Sequence, residues 1–443
     1  MQPYSKQLIC DTETPVSLYT KLALRHPYAF LLESAESHET LGRYSVIGFD
    51  PLRLHVFPAC GAQNPLEILR KDYEKISYSQ DPNLPRLQAP FVGYFSYEVA
   101  RHFEKLNLPL KSTDIPEGIF FFPKNLLIFD HAKRNLTAIA YSQKDLENFI
   151  KEIQSIENLP GPAPISLASA ADTGAHTKKN ESFERLVQIS KEKICAGEIF
   201  QIVVSQKFEQ PTKAHPFDLY RRLRLISPSP YMYYLQYPDF SIIGSSPETL
   251  VRTENDEIIL RPIAGTRRRG KTPEEDRELE HELLNDIKEQ AEHMMLVDLG
   301  RHDIGRMAKP GTVRVEKMMF AERFSHVMHL VSEIRGERRS DLSLFDIFRM
   351  AFPAGTLTGA PKIRAMEIIA ELEKEPRGIY GGAVGYFDLS GNMDFAIAIR
   401  TMVYRKGRVL LQAGAGIVYD SKPAHENLEC HNKAAAPLIA LQI

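Results

Sequence analysis

The sequence predicts an α+β fold in which layered antiparallel sheets carry flanking helices. Three observations lead there. Aromatic and β-branched runs at 28–32, 44–49, 91–97, 119–122 and 126–130 are separated by Pro, Gly and Asp, and read as strands. Further runs at 383–389, 395–404 and 409–413 are joined by Ser390-Gly391-Asn392 and Arg405-Lys406-Gly407, which makes them successive antiparallel hairpins. Helical patterns flank these runs without a βαβ alternation, so a layered α+β arrangement is expected instead of a doubly wound parallel sheet.

The stretch from Leu159 to Lys179 is rich in Pro, Ala, Ser and Thr and lacks periodicity. It reads as a surface linker. The organisation expected is an N-terminal region 1–158, a linker 159–180 and a C-terminal region 181–443, the two halves intimately associated.

After the linker, 183–196 reads as an amphipathic helix ending at Gly197, with a strand over 199–208. Thr272-Pro273-Glu274-Glu275 supplies an N-cap, a proline at N1 and a capping-box Glu at N3, so a helix starts there. Its apolar stripe is Leu279, Leu283 and Ile287. Asp286 and Glu289 offer a second capping box, which predicts a kink or restart near Asn285. The segment 355–361 is a turn leading into a helix over 362–374, stopped by Pro376-Arg377-Gly378.

The bulk numbers narrow the function. With 443 residues, 43% hydrophobic, 25% charged and net charge −2, the chain has the composition of a soluble globular protein. It carries no electrostatic footprint for nucleic acid or an anionic membrane. No apolar run reaches membrane-spanning length, and the N-terminus lacks a signal-peptide core. Cys10, Cys60, Cys195 and Cys430 are widely separated, which suits a reducing cytoplasm and argues against structural zinc.

Two acidic pairs, Glu289/Glu292 and Glu426/Glu429, stand at i, i+3 spacing on two distant helical segments. The second runs into Lys433 and follows a glycine-rich turn, Ala413-Gly414-Ala415-Gly416. Facing carboxylates, backbone N–H groups and a lysine suit a small carboxylic acid held through a divalent cation, with Mg²⁺ favoured at an all-oxygen site. For either pair alone, a solvated helix face is the simpler reading.

Other signals admit two readings. Gly265–Thr272 fits the P-loop pattern formally, but three arginines crowd it and Pro273 removes a donor. His326 and His329 stand at i, i+3 and read as buried beside Val327, Met328 and Leu330. His329 remains an acid/base candidate, because histidine titrates near neutrality. Arg400 closes the apolar run 395–399. It suits either a protein carboxylate or bidentate capture of a substrate carboxylate.

Four long motifs occur in order: 261–270 (RPIAGTRRRG), 291–299 (AEHMMLVDL), 355–362 (GTLTGAPK) and 413–418 (AGAGIV). Together they resemble the chorismate-utilising enzymes, strongly over 180–443 and more loosely before it. Within that family the resemblance is to anthranilate synthase large subunits (component I). It also explains the P-loop lookalike without a nucleotide.

The resemblance implies roles. Glu292 and Glu429 would bind Mg²⁺, which holds the ring carboxylate of chorismate, while Glu289 and Glu426 act through metal-bound water. Ala413, Gly414, Gly416 and Lys433 would receive a carboxylate, and Tyr380 and Arg400 would grip the enolpyruvyl carboxylate. His329 and Thr356 would serve the departing ring hydroxyl, with Glu248 as a second acid and Thr266 lining the substrate. Ala264 stands where aminodeoxychorismate synthases carry an attacking lysine. Gln201 stands where water-adding relatives carry a basic one. Both favour direct attack by ammonia, supplied by a glutamine amidotransferase subunit in a hetero-oligomer. An aminodeoxychorismate synthase component and a catalytically silent, chorismate-binding regulatory paralogue are the alternatives. The chain departs from the family pattern at His302 and across 428–431. Leu32-Glu33-Ser34 and Pro230-Tyr231-Met232 resemble the inhibitor motif, which implies feedback by tryptophan. There, Glu33 or nearby carbonyls would take the ammonium, and Tyr231 and Met232 would wall the indole.

Overall fold

Two long strands organise the molecule. The computed structural model describes residues 1–34, 43–85, 87–108, 115–156, 159–165, 180–323 and 327–442. In it Tyr44–Phe57 and Gly118–Asp130 pair antiparallel along their length, with one irregularity beside Pro51. Expected as two strands, 118–130 is one. Pro123 lies opposite Pro51, where neither residue has an N–H to give the ladder. At that point the outer neighbours change: 126–130 continue to Asn135–Ala140, whereas 118–121 continue to Pro90–Phe95.

Two antiparallel layers grow from this hairpin. The first runs through Ala29–Glu33, Tyr231–Gln236, Ser241–Ser246, Thr401–Arg405, Arg408–Ile417 and Gln201–Pro211. The second runs through Pro90–Phe95, Ala383–Asp388, Met393–Ile397, Thr249–Glu254, Glu257–Leu260 and Val327–Glu337. Ile263–Arg268 and Arg314–Arg323 flank its far end. Among the described residues nineteen strands are joined this way.

Packing follows from the alternation of apolar side chains. Phe30, Tyr233, Ile242 and Val403 of the first layer meet Val92, Tyr94, Val384 and Ala396 of the second. The first layer's outer face is covered through Leu146 and Phe149 of helix Gln143–Ser155 and Phe217 and Tyr220 of helix Pro216–Ile226. The second is covered by Val297 and Ile304 of helix Ile287–Met307 and Phe345 and Phe348 of helix Leu344–Ala351. Each fully buried side chain of this size contributes about 1.5–3 kcal/mol relative to exposure. The predicted layered α+β class is therefore the one observed.

The two halves are interwoven. Ala29–Glu33 pairs with Tyr231–Gln236, and Pro90–Phe95 with Ala383–Asp388, so each half completes the other's layer. Most of the expected linker, 166–179, lies outside the described residues.

Helix starts follow their caps. Thr272 accepts from the Glu275 N–H, while the Glu275 carboxylate turns to the Lys271 N–H. Helix Pro273–Asn285 ends at the expected restart, where Asp286 accepts from the N–H groups of Lys288 and Glu289. The restart corrects the stripe: Leu283 is fully buried, but Ile287 is 82% exposed, because the new helix turns it outward. The run 395–404 splits into Met393–Ile397 and Thr401–Arg405, and these belong to different layers. The strand expected at 409–413 extends to Ile417, so Ala413–Gly416 is extended ladder and not a turn.

Candidate active site

The site lies where the chain passes between layers. Glu248 occupies the step from Ser241–Ser246 to Thr249–Glu254, and Arg400 the step from Met393–Ile397 to Thr401–Arg405. Arg400 has φ 48°, a left-handed conformation that costs a non-glycine residue energy and often marks a functional position. The Arg400 guanidinium is half-buried, and it makes no hydrogen bond or ion pair among the described residues. Glu248 is near enough to act on it electrostatically.

The Thr356 hydroxyl, in the short turn Gly355–Leu357, donates to Glu248 Oε1 at 2.8 Å. Burial pushes the Glu248 carboxyl up to about 7, against the Thr356 hydrogen bond and the charges of Lys433 and Arg400. Near neutrality it therefore carries a proton part of the time.

His329 faces the opposite way in proton chemistry. The ladder between Ile263–Arg268 and Val327–Glu337 is irregular between Ala264 and Thr266, leaving Gly265 at φ 60°. His329 Nδ1 lies 3.0 Å from the Gly265 carbonyl, which assigns the proton to Nδ1 and leaves Nε2 as acceptor. Burial pushes its pKa down to about 4, with the Arg400 charge lowering it further and the Gly265 contact opposing. Unliganded His329 is thus a neutral base, which corrects the expectation of an acid/base titrating near neutrality. Glu248 is the better-placed acid. His326 lies outside the described residues, as does the side chain of Thr266.

The acidic pairs lie on two helices, with Glu429 near enough to Glu292 to act on it electrostatically. Glu289 and Glu292 lie on Ile287–Met307, and Glu426 and Glu429 on Pro423–Ala440. The Glu292 carboxyl is raised first by burial and then by the charges of Glu289 and Glu429, with Lys288 and Lys433 opposing. Glu426 is raised by burial and by Glu429. Lys433 bonds Glu429 at 2.6 Å and donates to the Gly414 carbonyl at 3.1 Å. Arg267 lies 3.5 Å from Glu289. Among the described residues no three metal-ligating side chains already converge on one point. Like charges that resist ionisation are the condition a hard cation relieves. Two carboxylates with water completing the shell suit Mg²⁺, so the donor set fits it.

The glycines of Arg408–Ile417 admit close neighbours. Gly414 pairs with Ser205 and Gly416 with Val203. A Cβ at Gly414 would lie 2.5 Å from the Tyr380 hydroxyl, and one at Gly416 would lie 3.0 Å from Gln201 Nε2. The strand therefore forms one wall, with Ala413 in it and Tyr380 and Gln201 against it. The arginines of the P-loop lookalike are spent on carboxylates: Arg267 on Glu282 and Asp286, Arg268 on Glu275 and Arg269 on Asp276. The N–H groups of Gly270 and Lys271 are likewise spent, on Asp276 and Glu275.

The inhibitor motifs are brought side by side: Glu33 pairs with Met232 and Leu32 with Tyr233, with Ser34 and Pro230 at the strand ends. The side-chain expectations need correcting. Glu33 is buried and held by Tyr220 at 2.5 Å and Arg224 at 3.0 Å, so its charge is already compensated. Met232 is 1% exposed and belongs to the core, and the Tyr231 hydroxyl bonds Asp394 and Thr249. Arg377 and Glu373 were not singled out from the sequence, where 376–378 signalled only a helix stop.

A family model described as chorismate binding enzyme matches residues 18–438. The chain belongs to the chorismate-binding enzymes. It is 44% identical to anthranilate synthase component 1 of Acetivibrio thermocellus, over 99% of this chain and 95% of that one. It is 45% identical to that of Streptomyces coelicolor, over 99% and 89%. The crystal structure of anthranilate synthase component I from Streptococcus pneumoniae superposes with a TM-score of 0.78 at 35% identity, covering 96% of this chain and 98% of the other. The menaquinone-specific isochorismate synthase of Escherichia coli, 19% identical with a TM-score of 0.73, shares the fold of this chorismate-binding enzyme. No helix among the described residues is long and apolar enough to cross a membrane.

Proposed function

We propose that this chain is component I of an anthranilate synthase, converting chorismate and ammonia to anthranilate, pyruvate and water. A C–N bond forms at ring C2, the C4 hydroxyl leaves as water, and the enolpyruvyl C–O bond then breaks to release pyruvate as the ring loses its C2 proton. The observation that carries the reading is the Arg400 guanidinium, without a hydrogen bond or ion pair among the described residues, beside the partly protonated Glu248 and within the motifs of a chorismate-binding enzyme. Arg400 and the Tyr380 hydroxyl receive the enolpyruvyl carboxylate. Glu248, its proton shared with Thr356, supplies the proton for the departing hydroxyl. Neutral His329 accepts a proton through Nε2. Glu292 and Glu429 would hold Mg²⁺, with Glu289 and Glu426 acting from beyond them. Bound there, the ion supplies positive charge against which the ring carboxylate can sit among acidic side chains.

Ala264 offers no nucleophilic amine and Gln201 no base for water, which supports attack by ammonia. The ammonia comes from a glutamine amidotransferase subunit, in a cytoplasmic hetero-oligomer. Tryptophan acts as feedback inhibitor where 32–34 and 230–232 run side by side. The test is product identification with purified chain, chorismate, Mg²⁺ and ammonium. Anthranilate and pyruvate in equal amounts are expected. Accumulation of aminodeoxychorismate or isochorismate, or tight chorismate binding without turnover, overturns the reading.

A further inference from the structure

Arg377 is almost wholly buried, its side chain 1% exposed, and it is satisfied on every side. Nε and Nη2 donate to the Glu373 carboxylate at 2.8 Å each. Nη1 donates to the Leu357 carbonyl at 2.8 Å, and Nη2 also to the Val203 carbonyl at 2.8 Å. The guanidinium carbon lies 4.8 Å from the centroid of Tyr97 and 5.6 Å from that of Tyr380. Glu373 in turn accepts from the N–H and hydroxyl of Ser205 at 2.9 and 2.8 Å.

Each of these partners backs a wall of the site. Leu357 follows Thr356, the donor to Glu248. Val203 and Ser205 are the register partners of Gly416 and Gly414. Tyr380 packs its hydroxyl where a Cβ at Gly414 would stand. A buried ion pair is weak evidence for stability, since well-packed apolar replacements often do as well. Its placement calls for another explanation, and only a planar fork can reach a carboxylate and two carbonyls together.

We propose that Arg377, locked by Glu373, is a positioning residue that fixes the Thr356 turn, Tyr380 and the Gly414–Gly416 strand relative to one another without touching substrate. The kinetic part of its test rests on the proposed amination of chorismate.

The test compares Arg377→Lys, Glu373→Gln and Ser205→Ala with Phe149→Ala, a core truncation on the outer face of the first layer. Arg377→Lys is expected to lower kcat at saturating chorismate and ammonium at least tenfold, and Ser205→Ala two- to fivefold. Phe149→Ala should lose stability but keep kcat within twofold. A purely structural role would not move the pH profile. Here, loosening Thr356 removes a hydrogen bond that favours ionised Glu248, which is faced also by Lys433 and Arg400. The alkaline limb of log kcat is therefore expected to shift upward by about half a unit in Arg377→Lys, in the direction Thr356→Val gives. If Arg377→Lys does not fold, Ser205→Ala and Glu373→Gln decide by the same limb. Wild-type kcat and an unmoved limb in the folded variants overturn the proposal, as does an equal loss in Phe149→Ala. If the wild type makes no anthranilate, the functional reading fails. Equilibrium dialysis of chorismate then reads the positioning alone, with tenfold weaker binding expected in Arg377→Lys and none in the control.

Discussion

Glu248 and Arg400 are tied through the backbone of each other's crossover. The Ile397 N–H, three residues before Arg400, donates to the Glu248 carbonyl at 3.0 Å, and the Ser245 N–H, three before Glu248, donates to the Arg400 carbonyl at 3.3 Å. The two steps between layers thus fix an acid and a cation as neighbours without spending their side chains on one another.

Arg400→Lys should therefore impair substrate capture and not folding. The guanidinium makes no bond among the described residues that the variant would break. Replacing a bidentate contact with a point charge costs about 1.5–3 kcal/mol, so KM for chorismate should rise roughly 10- to 100-fold. Steady-state kinetics and thermal unfolding of the same preparation check it. An unchanged KM would remove Arg400 from the substrate site.

Glu248→Gln should trade activity for stability, and only at high pH. The folded carboxyl titrates at about 7 against an ordinary 4.5, so the folded state binds the proton more tightly. That contribution is full below pH 4.5 and lost as pH rises through 7. Ionised Glu248 then destabilises by an amount on the order of 2 kcal/mol, discounted because the residue is only partly buried. Glu248→Gln should raise the melting temperature at pH 8.5, change it little at pH 5, and lower kcat by two orders of magnitude or more. Equal shifts at both pH values would mean that Glu248 is not held protonated.

Much of this was legible in the sequence where local chemistry dictates structure. Thr272, Asp286 and the glycine turns set element starts through bonds within a few residues, and those starts held. The failures are non-local. Whether Pro123 ends a strand depends on Pro51 opposite it, seventy-odd residues away. Nothing near Arg400 says that the strands on either side join different layers. The histidine motif located His329, but its neutrality comes from burial and from a bulge at Gly265 on another strand. Arg377 went unread because its partners, Val203, Leu357 and Glu373, converge only in the fold.

Removing either central carboxylate should abolish productive metal binding. Glu292→Gln or Glu429→Gln is expected to cut turnover by orders of magnitude while the protein stays folded, since each takes away a charged ligand. A second readout is independent of catalysis. In the wild type, Mg²⁺ should raise the melting temperature by binding the folded state alone, and in either variant that rise should shrink or vanish. In Glu429→Gln, losing one negative charge should also ease the repulsion that helps raise the Glu292 carboxyl. Near-normal turnover at low Mg²⁺ in either variant would show that the ion is held elsewhere.

Tryptophan inhibition should depend on the paired strands and not on the carboxylate of Glu33. That carboxylate is already satisfied by Tyr220 and Arg224, so a ligand ammonium is left to the nearby backbone carbonyls. A route to the site exists in the bonds from the Tyr231 hydroxyl to Thr249, next to Glu248, and to Asp394, on the strand that leads to Arg400. Binding beside Tyr231 would bias both crossovers at once, and linkage then requires tryptophan and chorismate to weaken each other equally. Because the chain has no tryptophan of its own, ligand indole fluorescence reports binding with little protein background. Ser34→Arg should crowd the strand end and raise the tryptophan concentration for half-inhibition by about tenfold or more, a coupling of ordinary size, measured against that variant's own uninhibited rate. Wild-type turnover that ignores saturating tryptophan would sink the regulatory reading and leave the catalytic one standing.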